Sequence, residues 1–129
     1  MALILPFGSF ATLGMPDSAI EDTGLLDHIP DCYCRNETGK FDWSEDFREK
    51  GPLVAERQFP VMYFNSSQFP TNSSVAWVAS KDLRPFNTND PNTRLIPYYE
   101  AAQKYFLRNP GVSAERKFSI ATRYLDVSF

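Results

Sequence analysis

The segment Phe59-Pro-Val-Met-Tyr-Phe64 constrains the fold more than any other part of the chain. In an extended backbone Val61 and Tyr63 face one side while Met62 and Phe64 face the other. Both faces are apolar, so the strand needs cover on both sides, as a central strand has. A polar loop from Asn65 to Ser74 follows, and then a second strand, Val75-Ala-Trp-Val78. The two read as an antiparallel hairpin with a long loop. Lys81-Asp-Leu-Arg-Pro-Phe86 is a short extended piece that ends the sheet. Ala2-Leu-Ile-Leu5 reads as a further buried strand, closed by Pro6 and Gly8.

Residues 7–57 separate that opening strand from the rest. They form an irregular acidic stretch broken at Gly14, Pro16, Gly24, Pro30, Gly39, Gly51 and Pro52. So long an excursion reads as an insertion or a functional loop, with short helices expected at 16–26 and 44–50. After residue 93 the period turns helical. Pro97 suits a first helical turn, where its missing N–H costs little. Leu95, Tyr99, Ala102 and Phe106 share one face, and Asn109-Pro-Gly111 ends the helix. Ser113 then suits the cap of a second helix with Phe118, Ala121 and Leu125 as its stripe. Strands followed by a helical pair give an α+β class. The 129 residues fit one domain, with strands in 2–5 and 59–86, the insertion at 7–57 and helices in 94–126.

Composition narrows the function. Aromatic residues make up 15% of the chain, enough for a dense β-rich core or for a surface that binds with rings. The net charge of −3 is unevenly spread. Residues 1–80 carry five basic and eleven acidic side chains, and residues 81–129 carry eight basic and five acidic. A basic C-terminal part permits weak phosphate contact. Cys32 and Cys34, with His28 and Asp31 nearby, have no second ligand pair at a zinc-type spacing, so no metal is expected. Met1–Pro6 lacks the basic start of a secretory signal. No run approaches the ~18 apolar residues of a membrane span. An intracellular chain is therefore expected, with the triplets at Asn36, Asn65 and Asn72 incidental. His28 has no serine motif or phosphate loop beside it, and Asp42, Glu45, Asp46 and Glu49 suit an exposed acidic face. Catalysis is not expected.

Three motifs in order carry a family resemblance. Pro60-Val-Met-Tyr-Phe-Asn-Ser66, Ala76-Trp-Val78 and Lys81-Asp-Leu-Arg-Pro-Phe86 resemble the third to fifth strands of PWWP domains. Those strands follow the patterns V-x-F-F-G with Ser or Thr, A-W-V or A-F-L, and D-L-x-P with Phe or Tyr. Leu95-Ile-Pro-Tyr-Tyr-Glu-Ala-Ala102 is similar to the pattern that opens the helices of fungal members, where a long acidic insertion before the third strand is also common. The match spans residues 59–129. Ala2–Pro6 is similar to the segment just after the Pro-Trp-Trp-Pro signature. On that reading the first strand and two of three ligand-cage walls precede the chain.

The resemblance implies an SH3-like or Tudor-like β-barrel followed by helices, in a nuclear chromatin reader without a cofactor. Such domains hold a methylated lysine of a histone tail in an aromatic cage and touch nucleosomal DNA through basic residues. A methylated ammonium keeps its charge but sheds hydration, so ring faces attract it, by about 0.5–2 kcal/mol per contact. Tyr63 matches the cage residue of the third strand, and a core role beside Val61 is equally open. Trp43, Phe64 and Trp77 are the further candidate rings, with Phe64 and Trp77 better suited to the core. Ser66, Ser67 and Gln68 match the peptide groove. Lys81, Arg84, Lys104, Arg108, Arg116, Lys117 and Arg123 are the DNA-contact candidates. Arg116 and Lys117, in the first turn of the expected last helix, oppose its dipole. Subunits of a chromatin-modifying complex are implied partners. An absent first strand would leave a barrel edge open to a partner chain or a swapped dimer. The competing reading is an interaction module on the same fold that has lost methyl-lysine binding.

Overall fold

The computed structural model describes residues 1–64, 69, 73–85, 91 and 95–120. The elements among them are β1 (Ala2–Ile4), β2 (Tyr33–Arg35), β3 (Phe41–Trp43), β4 (Gln58–Tyr63), β5 (Val75–Ala79), β6 (Leu83–Pro85), α1 (Tyr99–Arg108) and β7 (Lys117–Ile120). Five strands make one antiparallel sheet in the order β5-β4-β1-β7-β6, and β2 and β3 pair separately. The two-sided apolar pattern of 59–64 is explained by cover on both faces: Met62 and Phe64 lie in one buried cluster, and Val61, with Phe59 and Tyr63 packed beside it, in another.

The sheet is curled. β5 and β6 lie on its opposite edges, yet only the 3-10 turn Ser80–Asp82 joins them. In a flat sheet those edges would stand about 19 Å apart, at ~4.8 Å per strand. Three residues of 3-10 helix rise only about 6 Å. The edges must therefore bend toward one another. Val78 of β5 and Leu83 of β6 accordingly pack in one cluster with Ala2 and Val61. The result is a half-barrel with one helix, a small α+β fold.

The other face of the sheet carries the larger core. Leu3, Met62 and Phe64 point there and are met by Ala102, Tyr105 and Phe106 of α1. Phe10, Leu13, Met15, Ile20 and Leu25 complete it. Residues 10–25 of the acidic stretch 7–57 thus contribute to this core. Tyr105 fastens the two together, its hydroxyl donating to the Leu13 carbonyl. The short helices expected at 16–26 and 44–50 are 3-10 turns, Ile20–Thr23, Leu25–His28 and Glu45–Phe47.

Two expectations for the C-terminal part are corrected. The helical face begins at Tyr99 and not at Leu95, which is 80% exposed. Tyr98, at φ 64°, breaks the path between them. The second helix is absent through residue 120. After a 3-10 turn at Ala114–Arg116 the chain runs as β7 between β1 and β6. The physical reason is the free edge of β1, whose backbone groups would otherwise be buried unpaired. Phe118 pairs with Ala2 across that edge, and Lys117 with Leu3. β1 is therefore flanked by β4 and β7, and the edge strands of the sheet are β5 and β6. Ala121 and Leu125 of the expected stripe lie outside the described residues.

Candidate functional site

The β2–β3 hairpin is set by its turn. Asn36 Oδ1 accepts from the backbone N–H groups of Thr38 and Lys40, both at 3.0 Å. Gly39 sits at φ 79°, a left-handed conformation that glycine adopts without steric cost. The resulting register places Tyr33 opposite Trp43 and Arg35 opposite Phe41. All four project from one face, because strand side chains alternate. Directly opposed residues stand ~4.5–5.5 Å apart, close enough for both pairs to interact. Tyr33 stacks on Trp43 with centroids 4.6 Å apart, and the Arg35 guanidinium lies 4.4 Å over Phe41.

This face docks on the rings at the end of the sheet. Phe7 meets Tyr33 edge-on at 5.1 Å and Phe41 at 5.0 Å. Trp77 meets Tyr33 at 5.4 Å, and Phe59 meets Trp43 edge-on at 5.6 Å. The Arg57 guanidinium lies over the Trp43 ring, 4.4 Å from its centroid. Polar anchors hold the arrangement. Tyr33 Oη donates to the Gln58 carbonyl at 2.5 Å, Trp77 Nε1 to Leu25 at 3.1 Å and Arg57 Nε to Phe47 at 2.7 Å. Burial pushes the Tyr33 phenol well above its ordinary pKa, and burial likewise raises the Cys32 thiol.

Between hairpin and sheet lies an open cleft of about 340 Å³. Phe7, Tyr33, Phe41, Trp43 and Phe59 line it, with Asp42 and Arg116 as its charged residues. Arg116 also donates to the Ile4 carbonyl at 3.3 Å. Such a cleft can hold an apolar or cationic side chain. Among the described residues no three His, Cys, Asp or Glu side chains gather as a metal site.

The structure distributes the residues singled out in the sequence. Trp43 is in the cleft. Tyr63 is half-buried with Val61 in the cluster inside the curl, and it is not among the residues lining the cleft. Phe59 and Tyr63 share a strand face four residues apart, about 13 Å at ~3.3 Å per residue. Trp77 packs against the cleft rings from behind, and Phe64 is core, stacked on Phe69. Ser66, Ser67 and Gln68 lie outside the described residues, as does Arg123. Phe7, Tyr33, Phe41 and Phe59 carried no functional signal in the sequence taken singly.

Lys81 pairs with Glu56 at 3.7 Å, both exposed, and the Arg84 guanidinium donates to the carbonyls of Lys81 and Leu83. Lys104 and Arg108 are exposed on α1. Lys117 lies 4.8 Å over the Phe106 ring. Arg116 ends a 3-10 turn and Lys117 opens β7, so the argument from a helix dipole does not apply to them. Arg84 pairs with Ser119, two residues from Lys117, so both cations lie on the helix-facing side of the sheet.

No protein family, curated protein or solved structure matches the chain.

Proposed function

We propose that the chain is a PWWP-type chromatin reader, in which the half-barrel is an SH3-like or Tudor-like barrel and the aromatic cleft takes a methylated lysine of a histone tail. The observation that carries this reading is the convergence of five rings, Phe7, Tyr33, Phe41, Trp43 and Phe59, on one open cleft. Rings so placed favour a cation that has lost hydration. The guanidiniums already resting on Phe41 and Trp43 are the same attraction at work within the chain. In this reading Trp43 takes the wall that sequence similarity assigns to Tyr63. Lys104 and Arg108, with Lys81 and Arg84, supply salt-dependent contact to nucleosomal DNA. The protein is then a nuclear, non-enzymatic component of a larger chromatin-modifying assembly.

One observation favours a second reading, an interaction module without methyl-lysine binding. Trp43 already carries Tyr33 stacked on it, the Arg57 guanidinium over it and Phe59 against it, which leaves less of its ring for a ligand. Binding to reconstituted nucleosomes, unmodified and methyl-lysine-bearing, at two salt concentrations, separates the two. Methyl-dependent binding that Trp43→Ala removes and Tyr63→Ala leaves in place is expected. Salt-sensitive binding indifferent to methylation would sink the reader assignment and leave the DNA-contacting module.

A further inference from the structure

Phe7 and Phe41 are shared between two clefts. On one side is the aromatic cleft just described. On the other is a second, larger one of about 490 Å³, lined by Phe7, Ile20, Glu21, Leu26 and Phe41, with Arg35 and Lys40 at its turn end. Its lining mixes the apolar Phe7, Ile20, Leu26 and Phe41 with charged side chains, and the group resting on one of its rings is a cation: the Arg35 guanidinium, 4.4 Å over Phe41.

Arg35 is held loosely there. Its side chain is exposed, and its hydrogen bond from Nη1 goes to Gly39, in the hairpin's own turn, at 2.9 Å. Arg57 is held differently: it is half-buried and donates to Phe47, outside the hairpin. Of the two stacked guanidiniums, Arg35 is therefore the one that can leave without unpacking the fold. When it swings into solvent it uncovers the Phe41 ring beside Ile20 and Leu26. The charged groups left lining the cleft are the Glu21 carboxylate and the Lys40 ammonium. A planar cation fits that face, because one already occupies it.

We propose that this second cleft is a subsite for an arginine side chain of a partner peptide, with Arg35 as the resident occupant that the incoming arginine replaces. The proposal does not depend on methyl-lysine binding in the neighbouring cleft. A peptide that fills both would present two cations, one on each side of the Phe7–Phe41 wall. Arg35 then sets the threshold for binding, since only the fraction of molecules with Arg35 displaced is competent. A stacked cation at an exposed site favours the occupied state by about two- to five-fold. Apparent affinity for an outside arginine is therefore weakened about three- to six-fold in the wild type.

The test is a titration with N-acetyl-arginine methylamide, followed by the NMR shifts of Phe7, Ile20, Leu26 and Phe41. Wild type, Arg35→Ala and Arg35→Met are compared, the last keeping the aliphatic stem so that hairpin packing is retained. Both variants are expected to bind three- to six-fold more tightly, with shifts confined to this cleft. Phe41→Leu in the Arg35→Met background should abolish the response, and Glu21→Gln, at an exposed position, should weaken it. Equal affinity in wild type and both Arg35 variants would overturn the proposal. So would N-acetyl-lysine methylamide binding equally well, since the cleft would then not select a guanidinium. Neither result bears on nucleosome binding through Trp43, which is read separately.

Discussion

Trp43→Ala is the perturbation that most directly tests how the hairpin is attached. Three contacts are lost at once: the stack on Tyr33, the edge contact with Phe59 and the Arg57 guanidinium. Each aromatic pair contributes about 0.5–1.5 kcal/mol beyond its buried area, and the half-buried cation contact about 1 kcal/mol. Full truncation of a buried Trp costs about 3–5 kcal/mol, an upper bound for this half-buried ring. The loss also cannot exceed the docking free energy of the hairpin, since a released hairpin has nothing further to lose. Together these place the effect at about 2–4 kcal/mol. In urea, with a slope of ~1–3 kcal/mol per molar, the midpoint should fall by roughly 1–2 M. Circular dichroism gives the global transition, and fluorescence of Trp77, which packs on Tyr33, reports the hairpin separately. A cycle with Arg57→Ala should return a coupling of about 0.5–1 kcal/mol. A change below about 0.5 kcal/mol, the range of ordinary surface substitutions, would refute the docked hairpin.

Two further outcomes follow from the same geometry. Tyr33→Phe removes the hydroxyl bonded to Gln58 and should cost about 1 kcal/mol. The native Tyr33 pKa is raised above the unfolded value of about 10, so its contribution is complete below pH 10 and is lost as pH rises further. Burial also raises Tyr105, so denaturation at pH 8 and pH 11 should show a fall that Tyr33→Phe reduces but does not abolish; an unchanged fall would contradict the assignment to Tyr33. Phe10→Ala, at a residue 1% exposed inside the supposed insertion, should cost about 3–5 kcal/mol by urea unfolding. A loss under 1 kcal/mol would mean that Phe10 does not hold residues 7–57 to the core.

The strands β1, β4, β5 and β6 were legible because their apolar residues leave few alternatives locally. β7 was not. Phe118, Ala121 and Leu125 fit a helical stripe, while Lys117 to Ile120 fit a short alternating strand, and short segments of this kind satisfy both periods. What decides between them is the unpaired edge of β1, more than a hundred residues away in the chain, which no local window contains. The hairpin was hidden for a different reason. Its signal is present: Tyr33 and Arg35 alternate before Asn36-Glu-Thr-Gly39, and Phe41 and Trp43 alternate after it. The surrounding acidic, breaker-rich composition dominated the reading of that stretch. Trp43 could therefore be nominated as a wall without a place, whereas Phe7, Tyr33, Phe41 and Phe59 acquire a role only once the hairpin is folded against the sheet.

The positions of Tyr63 and Trp43 make two cage assignments mutually exclusive, and this gives the nucleosome experiment its force. A cation is attracted when it lies within about 6 Å of a ring centroid. The Tyr63 backbone stands about 13 Å along β4 from that of Phe59, whereas Trp43 packs against Phe59 at 5.6 Å and against Arg57, which precedes the strand. One ammonium cannot use both ends. If sequence similarity to the third PWWP strand locates the ligand, Tyr63→Ala abolishes methyl-dependent binding and Trp43→Ala lowers stability alone. If the convergence of rings locates it, the pattern reverses, and methyl-dependence disappears with Trp43 while the Tyr63 variant still binds. Loss of binding in both variants, with each still folded by circular dichroism, would mean that neither ring acts by contact and that the cleft is a structural joint.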